Sequence, residues 1–169
     1  MSCAKIVVNA SPIISLAKIG YADLLSGLSS ELVIPQGVVE EIVAYRQPDL
    51  AVEWVRRQNP ACIRSVKVPS IIAEWNLGKG ESQVIAYAYQ NREFIASIDD
   101  KPAKKSAELF GIKVSGTLAI IIKAKRAGLI PSVLPLLLKL QTNGFRVSDD
   151  VFASALRLSG ERENIKTSD

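Results

Sequence analysis

Histidine is absent from all 169 residues of the chain. Without imidazole there is no Ser–His hydrolase triad, no Cys–His protease and no histidine-based metal centre. Any catalysis must rest on carboxylates, amides, hydroxyls, lysines or a bound ion. Cysteine is scarce too: Cys3 and Cys62 are too few and too unpatterned for a disulfide framework or a zinc site, and point to a reduced, cytoplasmic protein. Polar and charged breaks come too early in residues 1–20 for a signal peptide, and no apolar run reaches membrane-spanning length, so no membrane association is expected. No G-x-G-x-x-G or phosphate-loop lysine follows any strand-like run, which argues against a nucleotide or small phosphorylated ligand.

What remains is globular. A hydrophobic content of 48% with 22% charged residues suits one domain with a real core, read as 1–160, followed by a polar tail at 161–169 that is expected to fray. The net charge is +4, and Lys101, Lys104, Lys105, Lys123, Lys125, Arg126, Lys139 and Arg146 load it onto the second half. That distribution suits a polyanion such as nucleic acid, and equally suits ordinary solvated helix faces.

The β-branched run Ile6–Val8 predicts a buried strand that passes Asn9 and Ser11 into a helix from Pro12, with Gly20 as its stop. Further strands are predicted at Glu31–Ile34, weakly at Ile63–Val68, at Glu93–Ile98 and at Gly111–Val114. Between them lie predicted helices at Tyr21–Leu25, from Val38, from Pro48 through Asp49–Arg57, at Val84–Tyr89 after loop chemistry at Gly78–Gln83, and at Pro102–Phe110. Helices at Leu118–Ala127, Pro131–Leu140 and Ser148–Leu158 follow, the last capped by Ser148. Strands alternating with helices predict a three-layer α/β/α fold around a parallel sheet of four to five strands.

Polar groups follow each strand-like run: Asn9 and Ser11, Glu40 and Glu41, Asp99 and Asp100, Ser115 and Thr117, with Glu81 opening the helix after the glycine loop. Parallel strands bring their C-terminal ends to one edge, so these groups can converge. Carboxylates without histidine favour a hard cation with oxygen ligands, Mg²⁺ or Mn²⁺. Each residue also has a plain structural use. One of Asp99 and Asp100 caps the next helix, Glu40 and Glu41 suit an exposed helix face, and Glu81 suits a helix's first turn.

The runs Val7–Ile19, Ile34-Pro35 with Val38–Glu41, Leu77–Glu81, Ile98–Lys101, Gly116–Leu118 and Gly144–Ser148, in this order, resemble a PIN domain, the nuclease fold of VapC-type toxins, and more closely its uncharacterised prokaryotic branch. The resemblance implies a Mg²⁺- or Mn²⁺-dependent endoribonuclease whose acids correspond to Asn9, Glu41 (with Glu40 as its alternative), Glu81 and Asp99 with Asp100 beside it. Ser11 and Thr117 would line that site, and Lys101, Lys104 and Lys105 would guide RNA. It also implies a small antitoxin partner and a homodimer. Asn9 departs from the family's usual aspartate. An amide oxygen still ligates a hard cation, but losing one charge is expected to weaken ion binding by roughly 1–2 kcal/mol once solvent is discounted. The alternative implied by that departure is a catalytically degenerate module that binds RNA or protein.

Overall fold

The computed structural model describes residues 3–44 and 49–161. Among these residues five strands form one parallel sheet: β1 (Ala4–Val8), β2 (Ser29–Pro35), β3 (Ile63–Arg64), β4 (Phe94–Ser97) and β5 (Val114–Ser115), in the order β3-β2-β1-β4-β5. The helices that connect and cover them are α1 (Ala10–Lys18), α2 (Leu24–Leu28), α3 (Gln36–Ala44), α4 (Leu50–Arg57), α5 (Ser70–Ala73), α6 (Lys79–Gln90), α7 (Lys101–Leu109), α8 (Thr117–Arg126), α9 (Leu134–Thr142) and α10 (Asp149–Leu158). The three-layer α/β/α arrangement is the predicted one, with five strands.

The central strands are buried on both faces, as helix-covered parallel sheets require. Val7, Val8, Val33, Ile34 and Ala96 are wholly buried, and Ile13, Leu16, Ile85 and Ile121 pack onto them from the helices. β1 pairs with both β2 and β4, so the strand order reverses at β1. In open parallel sheets the crevice at such a reversal, outside the carboxyl ends of the strands, is where ligands bind. Asn9 leaves β1 and Asp99 leaves β4 at that point, and the Asn9 N–H donates to the Ser97 carbonyl at 3.0 Å.

Several predicted boundaries move. α1 begins at Ala10 rather than Pro12, because Asn9 is already extended and serves as its N-cap residue, leaving Pro12 inside the first turn. α2 begins at Leu24, since residues 21–24 form a turn closed by the Leu24 N–H on the Tyr21 carbonyl at 3.1 Å. The Gly78–Gln83 stretch is helix from Lys79, not loop. Gly111 and Ile112 close α7 through the carbonyls of Glu108 and Ala107, which delays β5 to Val114. α9 starts at Leu134 instead of Pro131. Pro48 lies outside the described residues, and α4 is capped by Asp49, which accepts from the Ala51 N–H at 2.9 Å. Ser148 precedes α10 without a side-chain cap bond.

Residues 162–169 of the expected tail lie outside the described residues, and Glu161 before them is hydrogen-bonded to the start of α9. Its carboxylate accepts from the N–H groups of Val133 (2.6 Å) and Leu134 (3.1 Å) and from the Ser132 hydroxyl (2.8 Å), closing the open N-terminus of α9.

Candidate metal and nucleic-acid site

Asn9 is 2% exposed, and its Oδ1 has no hydrogen-bond partner among the described residues. A buried, unsatisfied acceptor costs roughly 1–3 kcal/mol, so its orientation calls for an explanation. The Asn9 amide instead interacts with Glu81 in the first turn of α6. Burial raises the Glu81 carboxyl above the ordinary carboxylate value, and the like charge of Asp100 and then of Glu41 adds to the rise. Hydrogen bonds from the Gly78 backbone and the Asn9 side chain pull it partly back.

Glu41 reaches this place because α3 is clamped to α6. The Gly37 N–H donates to Gln83 Oε1 at 2.7 Å, and the Gly80 N–H donates to Glu41 Oε1 at 2.8 Å. Glu40, the alternative, points outward into an ion pair with Lys79, its side chain 47% exposed. Side-chain direction thus puts Glu41, and not Glu40, against the first turn of α6.

The adjacent aspartates separate. Asp100 caps α7, accepting from the Ala103 N–H at 2.9 Å, while its charge bears on Glu81. Asp99 turns toward α8, where it accepts from the Thr117 N–H at 2.8 Å and the Thr117 hydroxyl at 2.6 Å. Thr117 is wholly buried, so it supports Asp99 and does not line an open surface.

Two clefts meet at Asp99. One, of about 230 Å³, is lined by Ser11, Ser15, Lys18, Asn143, Phe145 and Arg146. The other, of about 720 Å³, is lined by Lys101, Lys104, Gln141, Phe145, Arg146 and Val151. Ser11 thus lines the first cleft, and Lys101 and Lys104 line the second. Lys105 lines neither cleft: it is exposed, one position round α7 from Lys104. Three residues here were not foreseen from the sequence. Lys18 looks like an ordinary last-turn lysine, Phe145 carries no chemical signal, and the clamping role of Gln83 depends on a contact 46 residues away. A separate apolar cavity of about 530 Å³ lies between the sheet and α8, lined by Ala4, Ile6, Ile95, Ile120 and Leu129 among others, and none of the candidate acids borders it.

The donor set suits a hard cation. Asn9 Oδ1 is a buried oxygen without a hydrogen-bond partner among the described residues, and Glu81 lies among like charges. Among the described residues no three Asp, Glu or Cys side chains already stand together as a ligand cage. Mg²⁺ does not need one, since it keeps several waters and is commonly held by one or two carboxylates with substrate phosphate.

No described helix is long and apolar enough to cross a membrane. Neither a curated protein nor a solved structure matches the chain significantly. A family model described as a PIN domain matches residues 5–161, spanning every strand and helix above from the second residue of β1 to Glu161. PIN domains are generally nucleases and typically use divalent metals, and this chain belongs to the PIN domain family.

Proposed function

We propose that the chain is a divalent-metal-dependent endoribonuclease working at the crevice between β1 and β4. The observation that carries this reading is the buried, unpartnered Asn9 Oδ1 set against Glu81. Asn9 and Glu81 would hold the ion directly, with Glu41 and Asp100 close enough to bind it through water. Asp99, fixed by Thr117, would stand at the edge where the clefts meet. A bound Mg²⁺ or Mn²⁺ would supply an activated water and neutralise charge on the phosphoryl oxygens. The protein's own share is positioning. Thr117 holds the Asp99 carboxylate in place, and Lys101, Lys104 and Arg146 would attract and orient the phosphate backbone.

Calorimetric titration of Mn²⁺ tests the assignment. Binding should be weak in the native chain, disappear in Glu81→Gln, and strengthen roughly tenfold or more in Asn9→Asp, since each 1.4 kcal/mol is tenfold. RNA cleavage should rise with the same substitution. No Mn²⁺ binding in any variant would overturn the metal site. The neutral amide at Asn9 also favours a second reading, a degenerate module that binds RNA or protein without cutting. RNA binding that persists in Asn9→Asp with no cleavage would establish it. The toxin role, with an antitoxin and a homodimer, is supported by the ordered motif resemblance alone. A short neighbouring reading frame whose product co-purifies with this chain and blocks cleavage would support it, and unimpeded growth on overproduction of an active chain would overturn it.

A further inference from the structure

We propose that the apolar cavity between the sheet and α8 binds an amphipathic carboxylate, an apolar chain of medium length with a hydroxyl at its far end. Ser97 and Ser115 receive the hydroxyl, and Lys123 with Arg126 the carboxylate. Three buried side-chain polar atoms lack a hydrogen-bond partner among the described residues: Asn9 Oδ1, which belongs to the acidic crevice, and Ser97 Oγ and Ser115 Oγ. Both serines line this cavity of about 530 Å³, and Ser97 is 1% exposed. A buried hydroxyl without a partner costs free energy, so two of them on one cavity wall mark a place for a polar group. Mostly apolar walls with a few placed polar groups, at this volume, are the usual form of a small-molecule site.

The sheet orders these groups along one line. Ser97 and Ser115 are register partners on β4 and β5, so their hydroxyls stand side by side on one face. Ile95, two residues before Ser97, and Ile6, its partner on β1, put their side chains on that same face. α8 begins directly after β5, so its first turn lies over the C-terminal ends of the strands and its last turns return toward their N-terminal ends. Lys123, Arg126 and Ala127 line the cavity there, beside Ala4 at the start of β1. From Ala4 to Val8, the residue level with Ser97, is four strand steps, about 13 Å. The walls are thus graded: hydroxyls at one end, Ile6, Ile95 and Ile120 between, cations at the other. Lys123 is exposed and joins no ion pair among the described residues. Arg126 donates from Nε and Nη2 to the Leu158 carbonyl, at 3.2 and 2.7 Å, and its charge too meets no acid among the described residues. An anion at this end and a hydroxyl at the other complete both sets of groups.

The test is calorimetric titration of the full chain, in EDTA, with ω-hydroxydecanoate, decanoate and decanediol. Saturable binding is expected, with ω-hydroxydecanoate the tightest of the three. Ser97→Ala combined with Ser115→Ala should leave Tm unchanged or raise it, because no hydrogen bond is lost. The same pair should weaken ω-hydroxydecanoate about three- to tenfold and reverse the order, so that decanoate binds the tighter. Lys123→Gln should weaken both carboxylates about two- to fivefold and leave decanediol unchanged. Ala127→Phe, which fills the cavity from its rim, should abolish binding of all three. No binding by the native chain, or no preference for the hydroxylated acid, overturns the site. Undiminished binding in Ala127→Phe would be adsorption elsewhere and overturns it as well. A lower Tm in the serine double variant with an unchanged ligand order would mean that the hydroxyls hold water for the fold, which also overturns it. Binding that appears only once residues 1–2 or 162–169 are removed would give the cavity to the chain's own terminus instead. None of these readouts involves RNA or metal, so they stand apart from the ribonuclease reading.

Discussion

Asn9 and Glu81 form a pair whose energetics point in opposite directions with and without a cation. Glu81 is raised by burial and by Asp100 and Glu41, so its charged form costs the metal-free fold free energy. The sign follows from linkage: a group whose folded value lies above its unfolded value contributes stability present below the unfolded value and lost as pH rises through the folded one. At neutral pH Glu81 is therefore a net cost. Glu81→Gln removes the charge at nearly constant shape, and in EDTA it should raise Tm by about 1–3 °C, corresponding to less than 1 kcal/mol for a chain of this size. The same variant should lose Mn²⁺ binding. A differential scanning measurement showing that Glu81→Gln destabilises the metal-free chain would mean that Glu81 serves the fold instead of the ion. Asn9 is understandable in the same terms, because an aspartate there would add one more buried like charge to the apo-protein. The amide relieves that repulsion but leaves an orphaned Oδ1.

Helix N-termini make the crevice hospitable to these groups. Asn9 occupies the N-cap position of α1 without a side-chain bond, Glu81 lies in the first turn of α6, Asp100 caps α7 and Asp99 receives the first N–H of α8. The partial positive charge at each terminus offsets some of the acids' repulsion. Gly80 in α6 lets Glu41 approach the helix: a side-chain carbon there would stand 2.8 Å from Glu41 Oε1 and 2.9 Å from its carboxyl carbon. Gly80→Ala should leave stability within about 1 kcal/mol, because the better helix propensity of alanine offsets the cost of displacing the Glu41 carboxylate. Mn²⁺ affinity should fall about tenfold, a change of about 1.4 kcal/mol, as Glu41 rotates away. An unchanged calorimetric titration would remove Glu41 from the site. The same two helices show what a single sequence could convey. The alternation of Val7-Val8, Val33-Ile34 and Ala96 with helical segments made the parallel sheet legible, because burial on both faces leaves apolar runs. Asn9 and Asp99 were legible as polar groups after strands, and Glu81 as an acid opening a helix after a glycine loop. The direction of Glu40 against Glu41 was not, since neighbours on a helix differ by about 100° of rotation that only a partner helix selects. The start of α6 was hidden by its glycines, which read as loop. Phe145 was hidden because its place depends on how α9 closes.

Glu161 links the end of the described chain to the site through α9. Its carboxylate closes the N-terminus of that helix, whose other end carries Gly144, Phe145 and Arg146 to Asp99. Burial alone would raise the Glu161 carboxyl, but the N–H of Val133, the Ser132 hydroxyl, the N–H of Leu134 and the Lys125 charge outweigh it and leave the group below its ordinary value. A depressed carboxylate contributes stability that is present above its unfolded value, ordinarily about 4.3, and lost as pH falls through the folded value. The native chain should therefore lose stability on acidification below about pH 4.3. Glu161→Ala should be less stable at neutral pH by about 2 kcal/mol, the scale of hydrogen bonds to a charged acceptor, a Tm drop of about 4–8 °C. The difference between the two should shrink as pH falls below that point. Because the change is at the far end of α9 from the clefts, the variant's Mn²⁺ affinity should be unchanged while its RNA affinity weakens. Parallel melting curves from about pH 7 down to about pH 3, spanning the ordinary carboxylate range, with RNA anisotropy at neutral pH, decide the matter. A gap between native and variant that stays constant with pH would show that Glu161 acts through packing and not through its charge.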